Sequence, residues 1–182
     1  MPVSQIVQAS LASGVPSSVA RSALPTGSVL QVVSTTKTNI YSSNHGETWA
    51  DVTGFSVNIT PTSSSSRIFI SVTCATSLEE QDSFAYLRLM RDSTTICIGD
   101  ARGSATRASM DASQQNAGTT RVWAKPNAVQ FLDSPATTSQ ITYKVQAWIR
   151  SGRTLFVGGT SGTDDAYRSN LPSIITVMEI AA

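Results

Sequence analysis

The chain has 182 residues, with 14% charged and 7% aromatic side chains, and 13 basic against 12 acidic groups leave a formal net charge of +1. So even a balance excludes nucleic-acid binding driven by a broad phosphate-neutralising surface. No apolar run approaches the roughly 20 residues of a membrane-spanning helix, which argues against membrane insertion.

The polar surface is made of hydroxyls, 28 Ser and 22 Thr, a composition that suits strands and turns better than helices. Residues 1–27 stand apart from the rest of the chain. Val3, Ile6, Val7 and Leu11 have helical spacing, but Gly14, Pro16, Pro25 and Gly27 interrupt any regular element. This segment has too few apolar residues for a core of its own and reads either as a disordered tail or as an attachment arm whose apolar residues dock on a partner. It carries neither the basic nor the apolar region of a signal peptide, so folding in a cytoplasm is expected.

From residue 28 the pattern is that of strands. SVLQVVST is the first, followed by a loop around His45 and Gly46. DVTGFSVNIT points Phe55, Val57 and Ile59 one way and Ser56, Asn58 and Thr60 the other. After Pro61 and the serines at 63–66, Ile68, Ile70, Val72 and Cys74 share a face, with Phe69 opposite and partly covered. An acidic loop holds Glu79, Glu80 and Asp82. FAYLRLMRD is apolar on both sides, with Leu87 and Leu89 expected to oppose Phe84, Tyr86 and Met90, the signature of a central strand or one pressed against another subunit. Residues 99–120 form the longest polar region, with Arg102 and Arg107, of a length that is usually functional or disordered.

Arg121 to Lys125 returns to strand and Pro126 is expected to end it. The strongest pattern is VQFLDSPATTSQITYKVQAWIR, which reads as two strands joined by a turn at Asp133, Ser134 and Pro135. On its second strand Ile141, Tyr143, Val145, Ala147 and Ile149 face one side, and Thr142, Lys144, Gln146, Trp148 and Arg150 the other. A short strand, a glycine-rich loop at 158–170 and a closing strand SIITVMEI complete the chain. Eight or nine strands without βαβ alternation predict an all-β fold, an antiparallel two-sheet β-sandwich.

Catalytic patterns are missing from the sequence. His45 is the single histidine, in a turn-like SSNHGET, and suits a solvated loop better than a general base. Glu79, Glu80 and Asp82, and Asp164 and Asp165, lack calcium-loop spacing and read as solvated carboxylates. The glycine loop lacks the Lys-Ser/Thr of a phosphate cradle, and no serine sits in a nucleophile elbow. Cys74 and Cys97 lie among apolar neighbours and are expected to be thiols packed as small hydrophobes rather than a bridge or metal pair. No enzyme activity, cofactor or metal is expected.

The segments SALPTGSVLQVVSTTKT, ADVTGFSVNITPTSSSSRIFI, VQFLDSPATTSQITYKVQ and SIITVMEIAA together resemble a domain recurrent in bacteriophage virion proteins, the C-terminal domain of tail-fibre-like proteins of phages and cyanophages. The likeness spans about Ala23 to Ala182. It implies a sandwich that is often jelly-roll-like, assembled as a homotrimer on a virion surface, with no catalytic motif. Leu87, Leu89, Trp123, Trp148 and Met178, expected on faces away from the core, would then bury in neighbouring subunits. Fibres usually carry a long repetitive shaft, whereas only about 27 residues precede this domain. A capsid decoration (cement) protein, held by its arm on the major capsid protein, is therefore expected. The alternative is a short tail fibre or spike tip, attached to a tail or baseplate protein, that binds a host surface glycan. Arg102, Arg107, Tyr167, Arg168 and Asn170 would be its contacts.

Overall fold

A computed structural model describes residues 24–79, 83–114, 124–160 and 169–182. Eleven strands lie among these residues: β1 Val29–Lys37, β2 Tyr41–Ser43, β3 Ala50–Ile59, β4 Arg67–Leu78, β5 Ala85–Arg91, β6 Thr94–Ile96, β7 Met110–Asp111, β8 Lys125–Asp133, β9 Ile141–Ile149, β10 Leu155–Val157 and β11 Ser173–Ile180. All their pairings are antiparallel. They form two sheets, the expected all-β sandwich.

The pairings nest. The first long strand pairs with the last, β1 with β11; inside it lie β3 with β9, then β4 with β8, then β5 with the short β6 and β7. Successive nested pairs alternate between the two sheets. The first sheet runs β1-β11-β4-β8, with β10 and β2 extending it past the end of β11, and the second runs β3-β9-β5-β6. This is the strand order of a jelly roll.

Between the sheets lies one apolar core. Phe55, Ile59, Ile68, Ile70, Leu87, Leu89, Tyr143, Ile149 and Val177 are among the side chains it buries almost completely, each contributing about 1.5–3 kcal/mol relative to exposure. The alternations expected for Phe55–Ile59, Ile68–Cys74 and Ile141–Ile149 all hold. In β3 the inward set steps from Phe55 back to Val52 rather than to Thr53. A bulge between Asp51 and Ser56 makes that step, and Gly54, at φ 77°, supplies the left-handed residue it needs.

Three expectations are corrected. The segment Val129–Arg150 is not a hairpin: β8 pairs with β4 in the first sheet, while β9 pairs with β3 and β5 in the second. The turn at 134–140 is a corner that carries the chain from one sheet to the other. Pro126 does not end a strand but lies within β8, opposite Ala75. Among the described residues β8 pairs only with β4, and an edge strand tolerates the missing N–H. Finally, Leu87 and Leu89 do not face away from the core. Both are fully buried inside it, opposite Ala147 and Val145 of β9, and have no surface to offer another subunit.

Polar side chains tie the core at its rim. Asp133 of β8 accepts both bonds of an Arg91 pair at 2.9 and 3.0 Å and a third, 2.8 Å, from the Tyr143 hydroxyl. Glu179 of β11 is fully buried and accepts from the N–H and hydroxyl of Thr62 and from Gln31 Nε2 of β1 at 2.6–2.7 Å. Burial alone would raise its carboxyl, but the Thr62, Gln31 and Ser66 hydrogen bonds hold it below the usual glutamate range. Near the opposite end of β10, the pair Gly158–Gly159 lets backbone segments meet: a Cβ on Gly159 would stand 2.7 Å from Ile40 Cδ1. Close approach is what these two glycines allow.

Candidate ligand-binding face

The outward residues of the second sheet build an aromatic and charged ladder. Strand pairing sets its rungs, because Tyr86 lies opposite Trp148, Arg88 opposite Gln146, and Gln146 opposite Asp51. Tyr86 and Trp148 pack with ring centroids 5.4 Å apart and planes tilted by 36°. The Arg88 guanidinium lies 4.3 Å from the centroid of the Trp49 ring and donates twice to Gln146 Oε1, at 2.9 and 2.7 Å. Gln146 in turn donates to Asp51 at 2.7 Å, and Lys144 donates to the other Asp51 oxygen at 2.8 Å. At the far end Arg150 lies 5.7 Å from the Phe84 ring centroid.

Electrostatics follow from this packing. Burial raises the Asp51 carboxyl, but Lys144 and Gln146, by hydrogen bonds and the lysine charge, bring it below the usual aspartate range. Burial also draws the Arg88 guanidinium down, though an arginine stays charged at neutral pH. The ladder is thus fixed by stacking and by fork-shaped hydrogen bonds rather than left as loose surface charge.

Beside the ladder the loop 99–109, which joins the two short strands β6 and β7 paired with β5, leaves a cleft of about 320 Å³. Tyr86, Asp100, Arg107, Ser109, Met110 and Asp111 are among its walls. Arg107 donates from Nε to the Gly99 carbonyl at 2.7 Å. Lys125 stands 3.8 Å from Asp111.

The outer face of the first sheet is different in kind. Register aligns Val32, Met178, Phe69 and Leu132 in one row across β1, β11, β4 and β8. Val29 and Ile180 extend it on one flank. Val32 is 56% exposed and Val29 50%, while Met178, Phe69, Leu132 and Ile180 are half-buried.

Of the expected interface residues, Met178 thus sits in an apolar row on one side of the sandwich. Trp148 sits in the ladder on the other, so the structure does not bring them together. Arg107 reaches the cleft. Arg102 is exposed in the same loop but is not one of the cleft walls, and Asn170 pairs with Gly159 beyond β10, away from it. Val3, Ile6, Val7, Leu11, Trp123, Tyr167 and Arg168 lie outside the described residues, as do Glu80, Asp82, Asp164 and Asp165 of the acidic pairs. Sequence reasoning missed Trp49, Tyr86, Arg88 and Asp51 as site residues. The alternation of β9 places Gln146 and Trp148 outward, but only the cross-strand register shows what joins them.

His45 is less solvated than expected. Its Nε2–H donates to the carbonyls of Thr48 and Ala147, at 2.9 and 3.1 Å, and Nδ1 accepts from Ser43 at 2.7 Å, so the ring pins its loop to β9. Among the described residues no group of three or more His, Cys, Asp or Glu side chains is placed to hold a metal ion. Cys74 and Cys97 are both free, as expected. No protein-family model matches the chain, and a search of curated proteins finds no significant match.

Proposed function

We propose that the protein is a non-enzymatic structural component of a bacteriophage virion, a homotrimer that decorates the capsid and cements it. The observation that carries this reading is the apolar row Val32–Met178–Phe69–Leu132 on the outside of the first sheet. Cross-strand rows on a solvated face are ordinarily polar, as the next row is, with Ser34, Thr176, Ser71 and Gln130. A row of large apolar side chains suits burial against a second copy. Trp148, on the opposite side, is not needed for that contact.

The arm supplies attachment. Gly27 donates to the Ala181 carbonyl at 2.8 Å, which ties the start of the sandwich to the end of its C-terminal strand; Val3, Ile6, Val7 and Leu11 are the apolar residues proposed to dock. Inserted between capsid subunits, the arm would make separating them also cost the loss of the clamp's buried surface. The experiment is a copy-number count on purified particles, with a variant lacking residues 2–22 as comparison. Decoration requires tens to hundreds of copies per particle and a truncated trimer that no longer binds shells. A few copies only, or full occupancy by the truncated trimer, would defeat it. The second reading, a short tail fibre or spike tip that binds a host glycan, draws support from the cleft beside Tyr86.

A further inference from the structure

The cleft between β5 and the loop 99–109 combines an aromatic wall with polar groups that keep hydrogen-bonding capacity to spare. Tyr86 forms that wall, and Trp148 behind it, at 5.4 Å, holds the ring in place. Among the described residues the Asp100 carboxylate has no hydrogen-bond partner, and Arg107, whose Nε is bonded to Gly99, keeps both terminal nitrogens free. Asp111 spends one oxygen on the Ser113 N–H at 2.8 Å and sets the other towards Lys125.

Ligand classes can be weighed against this lining. An anion such as phosphate would meet Asp100 and Asp111 with Arg107 as the one cationic wall, since Lys125 is already set towards Asp111. A bare divalent cation would meet Arg107 and too few carboxylates. An apolar ligand would strand Asp100 and Arg107 without water. A neutral sugar ring meets none of these objections. Its C–H face stacks on an aromatic ring, its hydroxyls donate to carboxylates, and its ring or hydroxyl oxygens accept from a guanidinium. The volume, about 320 Å³, lies at the small end of ligand pockets, roughly 300–1,000 Å³, and suits one or two sugar units.

We infer that this cleft binds a neutral saccharide, with Tyr86 as the stacking platform, Asp100 and Asp111 as hydroxyl acceptors, and Arg107 as the donor. The site would give the glycan-binding reading its contacts, yet it does not depend on where the trimer sits. Sugar binding is measured on the isolated protein and decoration on particles, so either can fail without the other.

The test is an NMR titration of the ¹⁵N-labelled full-length chain with maltose, lactose and N,N′-diacetylchitobiose, alongside sialyllactose and inorganic phosphate. Saturable shifts are expected with at least one neutral sugar, confined to the amides of 86, 99–100 and 105–111 and the Trp148 indole N–H. Tyr86→Leu and Asp100→Asn should each weaken binding roughly tenfold, the scale of one hydrogen bond to a charged group or its equivalent in stacking. Gln130→Ala, on the outside of the first sheet, should leave binding unchanged. Should Tyr86→Leu fail to fold, Asp100→Asn, on an exposed loop, still decides. Silence with every neutral sugar, tighter binding of sialyllactose or phosphate, or indifference to Asp100→Asn would each overturn the inference.

Discussion

The Tyr143 hydroxyl donates to the Asp133 carboxylate at 2.8 Å across the gap between the sheets, from β9 in the second to β8 in the first. Arg91 of β5 closes the same carboxylate from the second sheet at 2.9 Å. Burial first, then the carboxylate that accepts its proton, pushes the phenol well above the ordinary tyrosine value. The phenol therefore keeps its proton through the neutral and mildly alkaline range. Tyr143→Phe removes one donor and is expected to cost about 1–3 kcal/mol. Asp133→Asn, which also strips Arg91 of its partner, should cost about 3 kcal/mol, the low end for breaking a buried pair, since the Arg91 side chain is 26% exposed. Urea denaturation of the two variants measures both.

Glu179 makes stability depend on acid pH. Folding holds its carboxyl below the ordinary value of 4.5, so as pH falls the unfolded chain takes up the proton first. Its contribution is complete above that ordinary value and is lost as pH drops through the lower folded one. Glu179→Gln should be less stable at neutral pH by about 1–3 kcal/mol, and the gap to wild type should narrow below pH 4.5. Melting temperatures recorded from pH 7 to pH 3 would show it; parallel curves would contradict it.

At Gly158 a side chain is refused twice over. Its φ is 89°, and a Cβ would lie 3.1 Å from the Leu171 carbonyl oxygen. Gly158→Ala is expected to cost about 1–3 kcal/mol. Gly103→Ala, also at positive φ but with nothing within 4 Å of the new Cβ, should cost less. Paired thermal melts of the two variants separate strain from collision.

The cysteines should differ in reactivity. Burial pushes the Cys74 thiol up to about 12, which leaves almost no thiolate at neutral pH. Cys97 is only half-buried, and burial raises it as well. Ellman's reagent at pH 8 is expected to consume one thiol per chain quickly, Cys97, and the second only after denaturation. Two fast thiols in the native protein would mean that the core around Cys74 opens.

How far the fold was legible can be seen strand by strand. Ile141–Ile149 declared itself because every second residue on it is apolar and the residues between are polar or amphipathic. FAYLRLMRD misled because Phe84, Tyr86 and Met90 are as apolar as Ala85, Leu87 and Leu89. The one marker of its outward face is Arg88, whose stem and charge need the Trp49 ring and Gln146 beside it. The false hairpin at 134–140 arose because turn residues signal a change of direction without naming the sheet that the chain enters next. Its length was the available warning, since hairpin loops commonly have about 2–5 residues. The ladder and the cleft depend on register between strands far apart in sequence, which alternation along one strand does not carry.

The trimer is the claim on which the functional account rests, and sedimentation equilibrium of the purified chain tests it most directly. Wild type is expected at the mass of three 19.2 kDa chains. Met178→Asp places a charge in the middle of the apolar row and should shift it towards one, with the circular dichroism of the sandwich unchanged. A monomeric wild type, or a Met178→Asp variant that remains fully trimeric, would contradict the account.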